Sequence, residues 1–425
     1  MRTLIKNIGE IFGILPEGVV KKEGQEMSVV TSLKDAYIII NDGMIESFGP
    51  ASDLCLGQSG TSGTSGKTAA EEVIDAACGY VLPCFCDSHT HIVYAGCRDG
   101  EFRDKIDGLS YEEIASRGGG ILNSADLLHE TSEDELYRQS AARAEEVMKM
   151  GTGSLEIKSG YGLSTEDELK MLRVIRRIKE NFPMEIRSTF LGAHAVSRPY
   201  KGRQGDYVRM VCRDMLPRVA EEGLADFVDV FCDKGFFSPQ ETSMILEAAA
   251  RYGIPAKIHA NELAVSGGVQ AGVTHDALSV DHLEQTTDAE IQELQAHRRT
   301  MPTMLPGASF FSNLPYGRAK DYIRAGLGLA LASDYNPGSS PSGNMRFVMA
   351  LGCIKMRLTP EEAFNACTIN SSYAMGTGSI SGSITPGKRA DLIITRQIPS
   401  FAFIPYCHQT PFISGILLKG KQISL

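Results

Sequence analysis

The sequence predicts an α/β chain: a (β/α)₈ TIM-like barrel with a small β-sandwich domain formed from both chain termini. Three observations carry that expectation. Eight short apolar, β-rich runs alternate with amphipathic helical stretches in the middle of the chain. Strand-like, turn-rich segments lie at both ends. Most of the central runs end in a polar residue able to do chemistry.

The N-terminal segment supports a small β-domain over residues 1–80. Asp35–Phe48 reads as two short strands around the turn Asn41-Asp42-Gly43, a hairpin signal. Ser59–Gly66 contains only Gly, Ser and Thr and reads as a surface loop without chemistry. The barrel is expected over 81–381. Its runs are Val81–His91, Thr152–Lys158, Glu185–His194, Phe227–Cys232, Pro255–His259, Ala277–His282, Arg299–Leu305 and Leu329–Asp334. Helix starts lie between them. Ser132 with Glu135 reads as a capping box. Ser238, Pro239 and Glu241 supply N-cap, N1 and N3, and Thr359, Pro360 and Glu362 repeat that pattern. Residues 382–425 return to strand character: Ala390–Thr395 follows a Pro386-Gly387 turn, and Phe412–Leu418 is a second apolar run. A doubly wound sheet would also alternate strands and helices, but no Gly-rich dinucleotide fingerprint follows any run.

Composition narrows the function. The 425 residues carry 42 Lys+Arg against 52 Asp+Glu, a net charge of −10, so nucleic-acid binding is not expected. No apolar run approaches the roughly 18 residues that span a bilayer, so no membrane association is expected. Met1–Leu15 lacks a continuous apolar core and a small-residue cleavage site, so no secretory signal is expected. The ten cysteines form no CxxC pair and read as reduced thiols of a cytoplasmic protein.

The candidate site follows from the strand ends. His89 and His91 close the first run, His194 the third, His259 the fifth, His282 the sixth and Asp334 the eighth. Barrel active sites lie at the C-terminal ends of strands. Residues two apart on a strand share a face, with Cα atoms about 6.6 Å apart, so two imidazoles at that spacing can converge on one divalent metal. His259 can add a third nitrogen and Asp334 an oxygen. Cys84 and Cys86 have the opposite parity and read as structural thiols. His129, His275, His297 and His408 lie off the strand ends and are given no function.

These residues, with the tail Gly382–Thr395, resemble the amidohydrolase superfamily. More specific motifs, Asp87–His91 (DSHTH), Arg98, Tyr111–Gly120 (YEEIASRGGG), Lys158–Leu163 (KSGYGL), Leu191–Val196 (LGAHAV), Asp281–Glu284 (DHLE) and Ser333–Pro341 (SDYNPGSSP), resemble the branch of that superfamily acting in histidine catabolism. The resemblance runs from about residue 35 to the C-terminus. It implies hydrolysis of the cyclic amide C–N bond of 4-imidazolone-5-propanoate to N-formimidoyl-L-glutamate, one divalent metal per chain (Zn²⁺ or Fe²⁺/Fe³⁺), and a homodimer. It implies His89, His91, His259 and Asp334 as metal ligands, with Glu262, His282 and Asp334 catalytic. Asp334 doubles as base, His282 polarises the carbonyl, and Glu262 carries a proton to the departing nitrogen. The substrate is a small anionic molecule, so Arg98 is expected to clamp its carboxylate. Tyr161 and His194 would supply donors, and Glu262, Asn336, Gly338 and Ser339 further contacts. Lys234, just past the fourth run, is read as a non-ligand, since the resemblance favours one metal. A cytosine-deaminase-like enzyme would share the metal ligands but need no carboxylate clamp. A metal-free binding barrel would need none of the ligands.

Overall fold

The computed structural model describes residues 1–56, 70–109, 113–114, 117 and 119–425. Ser59–Gly66, and part of Tyr111–Gly120, lie outside them. Eight parallel strands form one sheet in chain order, running from Phe85–Asp87 through Thr152–Lys158, Glu185–Ala193, Phe227–Cys232, Ile258–Ala260, Ser279–His282 and Met301–Met304 to Ala330–Leu331. The ring closes just beyond the last strand. Asp334 N donates to His89 O at 3.0 Å and His91 N to Tyr335 O at 2.8 Å. Asp87 reinforces the seam by accepting from Ser333 N at 2.9 Å and Ser333 Oγ at 2.5 Å. Burial lifts the Asp87 carboxyl to about 7, held back from rising further by these donors.

The terminal segments form a second, separate sheet with its own apolar core, including Ile5, Ile11, Ile38, Ile40, Leu392 and Leu417. The expected hairpin forms as Ser32–Asn41 paired antiparallel with Met44–Pro50. Its two-residue loop has Asp42 at φ +48° and Gly43 at φ +82°, which suits a right-handed hairpin twist. The first apolar run differs from the expectation of one strand. Tyr80–Pro83 pairs with Arg2–Phe12 and Leu392–Thr395 in the terminal sheet. The barrel starts at Phe85, whose N–H donates to Gly151 O, while the Cys84 N–H still donates to Asp391 O. Proline at 83 has no N–H to continue a ladder, and the chain changes sheets there.

The helices between strands start as their caps dictate. Both halves of the capping box form at Ser238/Glu241 and at Thr359/Glu362. At Ser132 only one half forms, because the Glu135 carboxylate turns to Arg138 and Gln139 instead. Among the described residues no helix is long and apolar enough to cross a membrane.

Candidate active site

The strand-end side chains converge at the C-terminal mouth of the barrel. His89 Nε2 and His91 Nε2 lie 3.3 Å apart, and His91 Nε2 lies 3.4 Å from His259 Nε2. Asp334 Oδ1 sits 3.6 Å from His89 Nε2 and 3.5 Å from His91 Nε2. All four side chains are buried. Three ring nitrogens and a carboxylate oxygen facing one another offer lone pairs to a common point. Ligands about 2.0–2.1 Å from a tetrahedral ion are about 3.3–3.4 Å from each other, so His89, His91 and Asp334 are spaced to share one divalent cation, and His89, His259 and His282 form a second group of ligand atoms close enough to do so. Burial and neighbouring cations push His89 and His91 well below the usual imidazole range, which keeps them neutral and able to ligate.

The opposite ring edges are fixed from below. His89 Nδ1–H donates to Asp281 Oδ2 at 2.6 Å, and His259 Nδ1 lies 2.9 Å from Asp229 Oδ2. Such carboxylate–imidazole pairs set the tautomer that leaves Nε2 free. Beneath them lies a charged layer that the sequence reading missed. Lys158 Nζ donates to Glu156 Oε1 at 2.6 Å and Asp229 Oδ2 at 2.8 Å, and Lys257 Nζ bridges Glu156 and Ser88 O. Each of these residues is fully buried. Two lysines face the carboxylates of Glu156, Asp229 and Asp281, and Asp334 makes a fourth. The excess of two negative charges is what a dication neutralises. The signal for this layer was the period of two along the strands: Glu156/Lys158, Lys257/His259 and Ser279/Asp281 alternate inward.

His282 belongs to the same mouth, with its ring 5.3 Å from that of His259. Its Nε2 is 3.7 Å from Glu262 Oε2 and its Nδ1 3.4 Å from Glu284 Oε2. Against the cost of burial, these two carboxylates raise His282 well above the usual imidazole range, so it is held as an imidazolium. Burial lifts Glu262 to about 7, although the facing His282 holds it back. His282 adopts φ +85° and Asp334 φ +53°. Conformations of this kind cost about 1–3 kcal/mol each and here turn both side chains into the mouth.

The wall carries the remaining expected residues. One cavity of about 370 Å³ is lined by His91, Arg98, Tyr161, His194, His259, Glu262, His282, Asp334, Asn336, Gly338 and Ser339, together with apolar Ile114, Ile121, Phe231, Phe311 and Leu314. The sequence expectations for it are therefore brought together in one place. Their chemistry differs in two respects. His194 Nδ1–H donates to Gly160 O at 3.0 Å, and burial drives its pKa down to about 3. A neutral ring with that proton spent presents Nε2 to the cavity as an acceptor, where a donor was expected. Asn336 folds its own loop: Oδ1 accepts from Gly338 N at 2.8 Å and Ser339 N at 2.7 Å, and Nδ2 donates to Asp334 O at 2.7 Å. Arg98 is half-buried and packs against that loop. Its guanidinium leaves no room for a Cβ at Gly338, which would come within 2.4 Å of Arg98 Cζ. Arg98 Nε and Nη2 donate to Glu101 Oε2 at 3.0 and 2.9 Å. Lys105, which the sequence reading missed, lines the same cavity and donates to Gly338 O at 2.6 Å. Its signal was helical spacing: 98, 101 and 105 share one face of the helix Asp99–Ile106 and its cap.

Other sequence expectations fall outside the site. The thiols of Cys84 and Cys86 reach Leu417 O and Ser381 Oγ, away from the histidines. Lys234 is exposed and only its backbone N–H is engaged, by its neighbour Asp233.

Residues 80–418 match the model of the amidohydrolase family. The chain is 50% identical over 423 residues to the imidazolonepropionase of Christiangramia forsetii, covering all of both chains. It is 38% identical over 423 residues to the imidazolonepropionase of Clostridium tetani, covering 99% of this chain and 97% of that one. Among solved structures, Escherichia coli guanine deaminase superimposes with a TM-score of 0.75 at 12% identity, covering 100% and 99% of the two chains. The triazine hydrolase of Arthrobacter aurescens gives 0.73 at 15% identity, covering 99% and 94%. At those identities the likeness to the solved structures is one of fold.

Proposed function

The chain belongs to the amidohydrolase family, and within it to the imidazolonepropionases; on that premise we propose that it hydrolyses the cyclic amide C–N bond of 4-imidazolone-5-propanoate to N-formimidoyl-L-glutamate, a step of histidine degradation. The observation that carries this reading is one cavity whose floor gathers His91, His259, His282 and Asp334 beside His89, with a half-buried arginine on its wall. The first suits amide hydrolysis. The second suits a substrate with an anionic arm, which a neutral base would lack.

His89, His91, His259 and Asp334 would hold one divalent cation, zinc or iron, both suited to a nitrogen-and-oxygen donor set. Such a cation supplies Lewis-acid chemistry, activating water and polarising an oxygen. The chain's own groups do the rest. The Asp334 carboxylate accepts the proton of the attacking water. As water adds to the ring carbonyl carbon, negative charge grows on the carbonyl oxygen, and the His282 imidazolium donates a hydrogen bond to it. Glu262, lifted to about 7, is suited to pass a proton to the ring nitrogen as the C–N bond breaks. Tyr161, His194 and the Asn336–Ser339 loop orient the ring, and Arg98 meets the carboxylate arm. The nine described cysteines are all free, which suits a reducing, cytoplasmic setting. A homodimer is the assembly proposed, checked by light scattering. The direct test is to incubate metal-loaded protein with fresh 4-imidazolone-5-propanoate. The ring absorbance should decay as N-formimidoyl-L-glutamate accumulates, and no turnover would sink the reaction.

A further inference from the structure

Glu168 does not line the cavity, yet it holds the chain that brings two residues to it. It is fully buried near the start of the helix Thr165–Asn181. The loop that leaves the second barrel strand wraps its carboxylate. Oε2 accepts from Gly160 N at 3.1 Å, and Oε1 from Gly162 N at 2.8 Å and Leu163 N at 3.0 Å. Ser159 Oγ donates to it as well, and accepts in turn from Leu191 N of the third strand at 2.9 Å. Burial raises the Glu168 carboxyl above the usual range, and these four donors hold it down. The loop needs such a hold. Gly160 has φ +110°, and Leu163, which carries a side chain, has φ +52°, a conformation that costs about 1–3 kcal/mol. A Cβ at Gly162 would overlap the backbone of Asp167 and Glu168, so the loop lies directly on the helix start. Two cavity residues depend on this arrangement. Tyr161 sits between the bonded N–H groups, and Gly160 O takes the Nδ1–H of His194 at 3.0 Å.

We propose that Glu168 is a positioning residue for substrate binding: through the loop 160–163 it sets the place of Tyr161 and the tautomer of His194. This rests on the imidazolonepropionase reading above, in which both residues orient the ring. A carboxylate offers about four lone-pair sites, enough for three N–H groups and one hydroxyl, so the whole loop conforms to one side chain. With the Gly160 peptide fixed from its N–H side, its carbonyl stays turned to His194. The Nδ1 proton is then spent, and Nε2 remains an acceptor toward the cavity. Once the carboxylate is disturbed, that peptide is free to turn, and His194 can move its proton to Nε2 and present a donor instead.

The test is a double-mutant cycle on the metal-loaded enzyme. It is read by calorimetric titration with imidazole-4-propanoate and by steady-state turnover of 4-imidazolone-5-propanoate. Glu168→Gln keeps the size of the side chain but turns an NH₂ group toward one of the loop's N–H groups. It should weaken binding of the analogue and raise KM about 10-fold, close to the loss of one buried hydrogen bond. Metal content and kcat should stay near wild type, because Tyr161 and His194 hold the ring in the ground and transition states alike. In a Tyr161→Phe/His194→Gln background the same change should cost less than about twofold, since the groups it positions are gone. Gly162→Ala, which displaces the loop and leaves the carboxylate intact, should reproduce the split between KM and kcat. Wild-type affinity and KM in either variant overturn the assignment. So does an equal loss in both backgrounds, or a parallel fall of kcat and metal content, which mark a purely structural role. A wild-type protein that binds the analogue without turning over the substrate sinks the reaction alone, and one that does neither overturns both.

Discussion

The floor and the wall of the cavity are built differently. At the floor His89, His91, His259 and Asp334 sit on strand ends, buried, and two of the histidines are fixed again by Asp281 and Asp229. Lys158 and Lys257 tie those carboxylates to Glu156 across several strands. The wall comes from loops and a short helix, and around it Phe102, Ile106 and Phe310 are 48%, 66% and 52% exposed. A floor whose charges are tied into one network cannot lose one member gradually, whereas a wall made of separate contacts can. Substitutions at the floor should therefore be near all-or-none, and those at the wall graded.

The largest effect expected is at the ligands. His259→Ala should leave the purified protein almost without metal by elemental analysis and without measurable turnover. A variant that retains a full metal complement would break the contrast at its centre. Next comes Lys158→Met. Removing one member of a buried ion network strands its partners, at a cost of about 3–5 kcal/mol. That is a large share of a typical domain's stability of roughly 5–15 kcal/mol. Denaturant unfolding should show it, and a loss below about 1 kcal/mol would mean that the layer relaxes. Asp281→Asn should be milder, weakening metal affinity about 10–100-fold, as competition with a chelator would reveal.

The same division decided what was legible in the sequence. The barrel, the terminal sheet and the strand-end histidines could be read because period-two patterns and strand ends are local properties of the chain. The site register followed, since His89 and His91 share a face wherever that strand is placed. The switch of sheets between Tyr80–Pro83 and Phe85–Asp87 was hidden, because one unbroken apolar run serves two sheets. The pairing of Arg98 with Glu101, and the proton that His194 spends on Gly160, were hidden for another reason. A residue's type states which bonds it can make, and only the fold states which of them are already made.

At the wall, Arg98→Ala should raise KM for the propanoate substrate about 30-fold, or roughly 2 kcal/mol, with kcat changed little. Part of that loss belongs to Glu101, which the truncation leaves buried without its cation and holding only the Gly120 N–H. Glu101→Gln in the same chain should therefore recover some of it, and strict additivity of the two changes would show that they act separately.

The smallest effect expected is one of pH, and it is the finest test of the contrast. The Lys105 ammonium, depressed to about 8 by burial and by Arg98 against the opposing pull of Glu101 and Glu262, is charged below that pH and neutral above it. The positive charge of the wall is thus complete at neutral pH and falls as pH rises. In kcat/KM, which reports the free enzyme, activity on the anionic substrate should fall several-fold through an apparent pKa near 8. In kcat the fall should come later, because a bound carboxylate favours the charged lysine and raises its pKa. Lys105→Arg, always charged, should lose that alkaline limb altogether. If the limb persists in Lys105→Arg, the titrating group lies at the floor, and the wall is less independent of it than its looser construction implies.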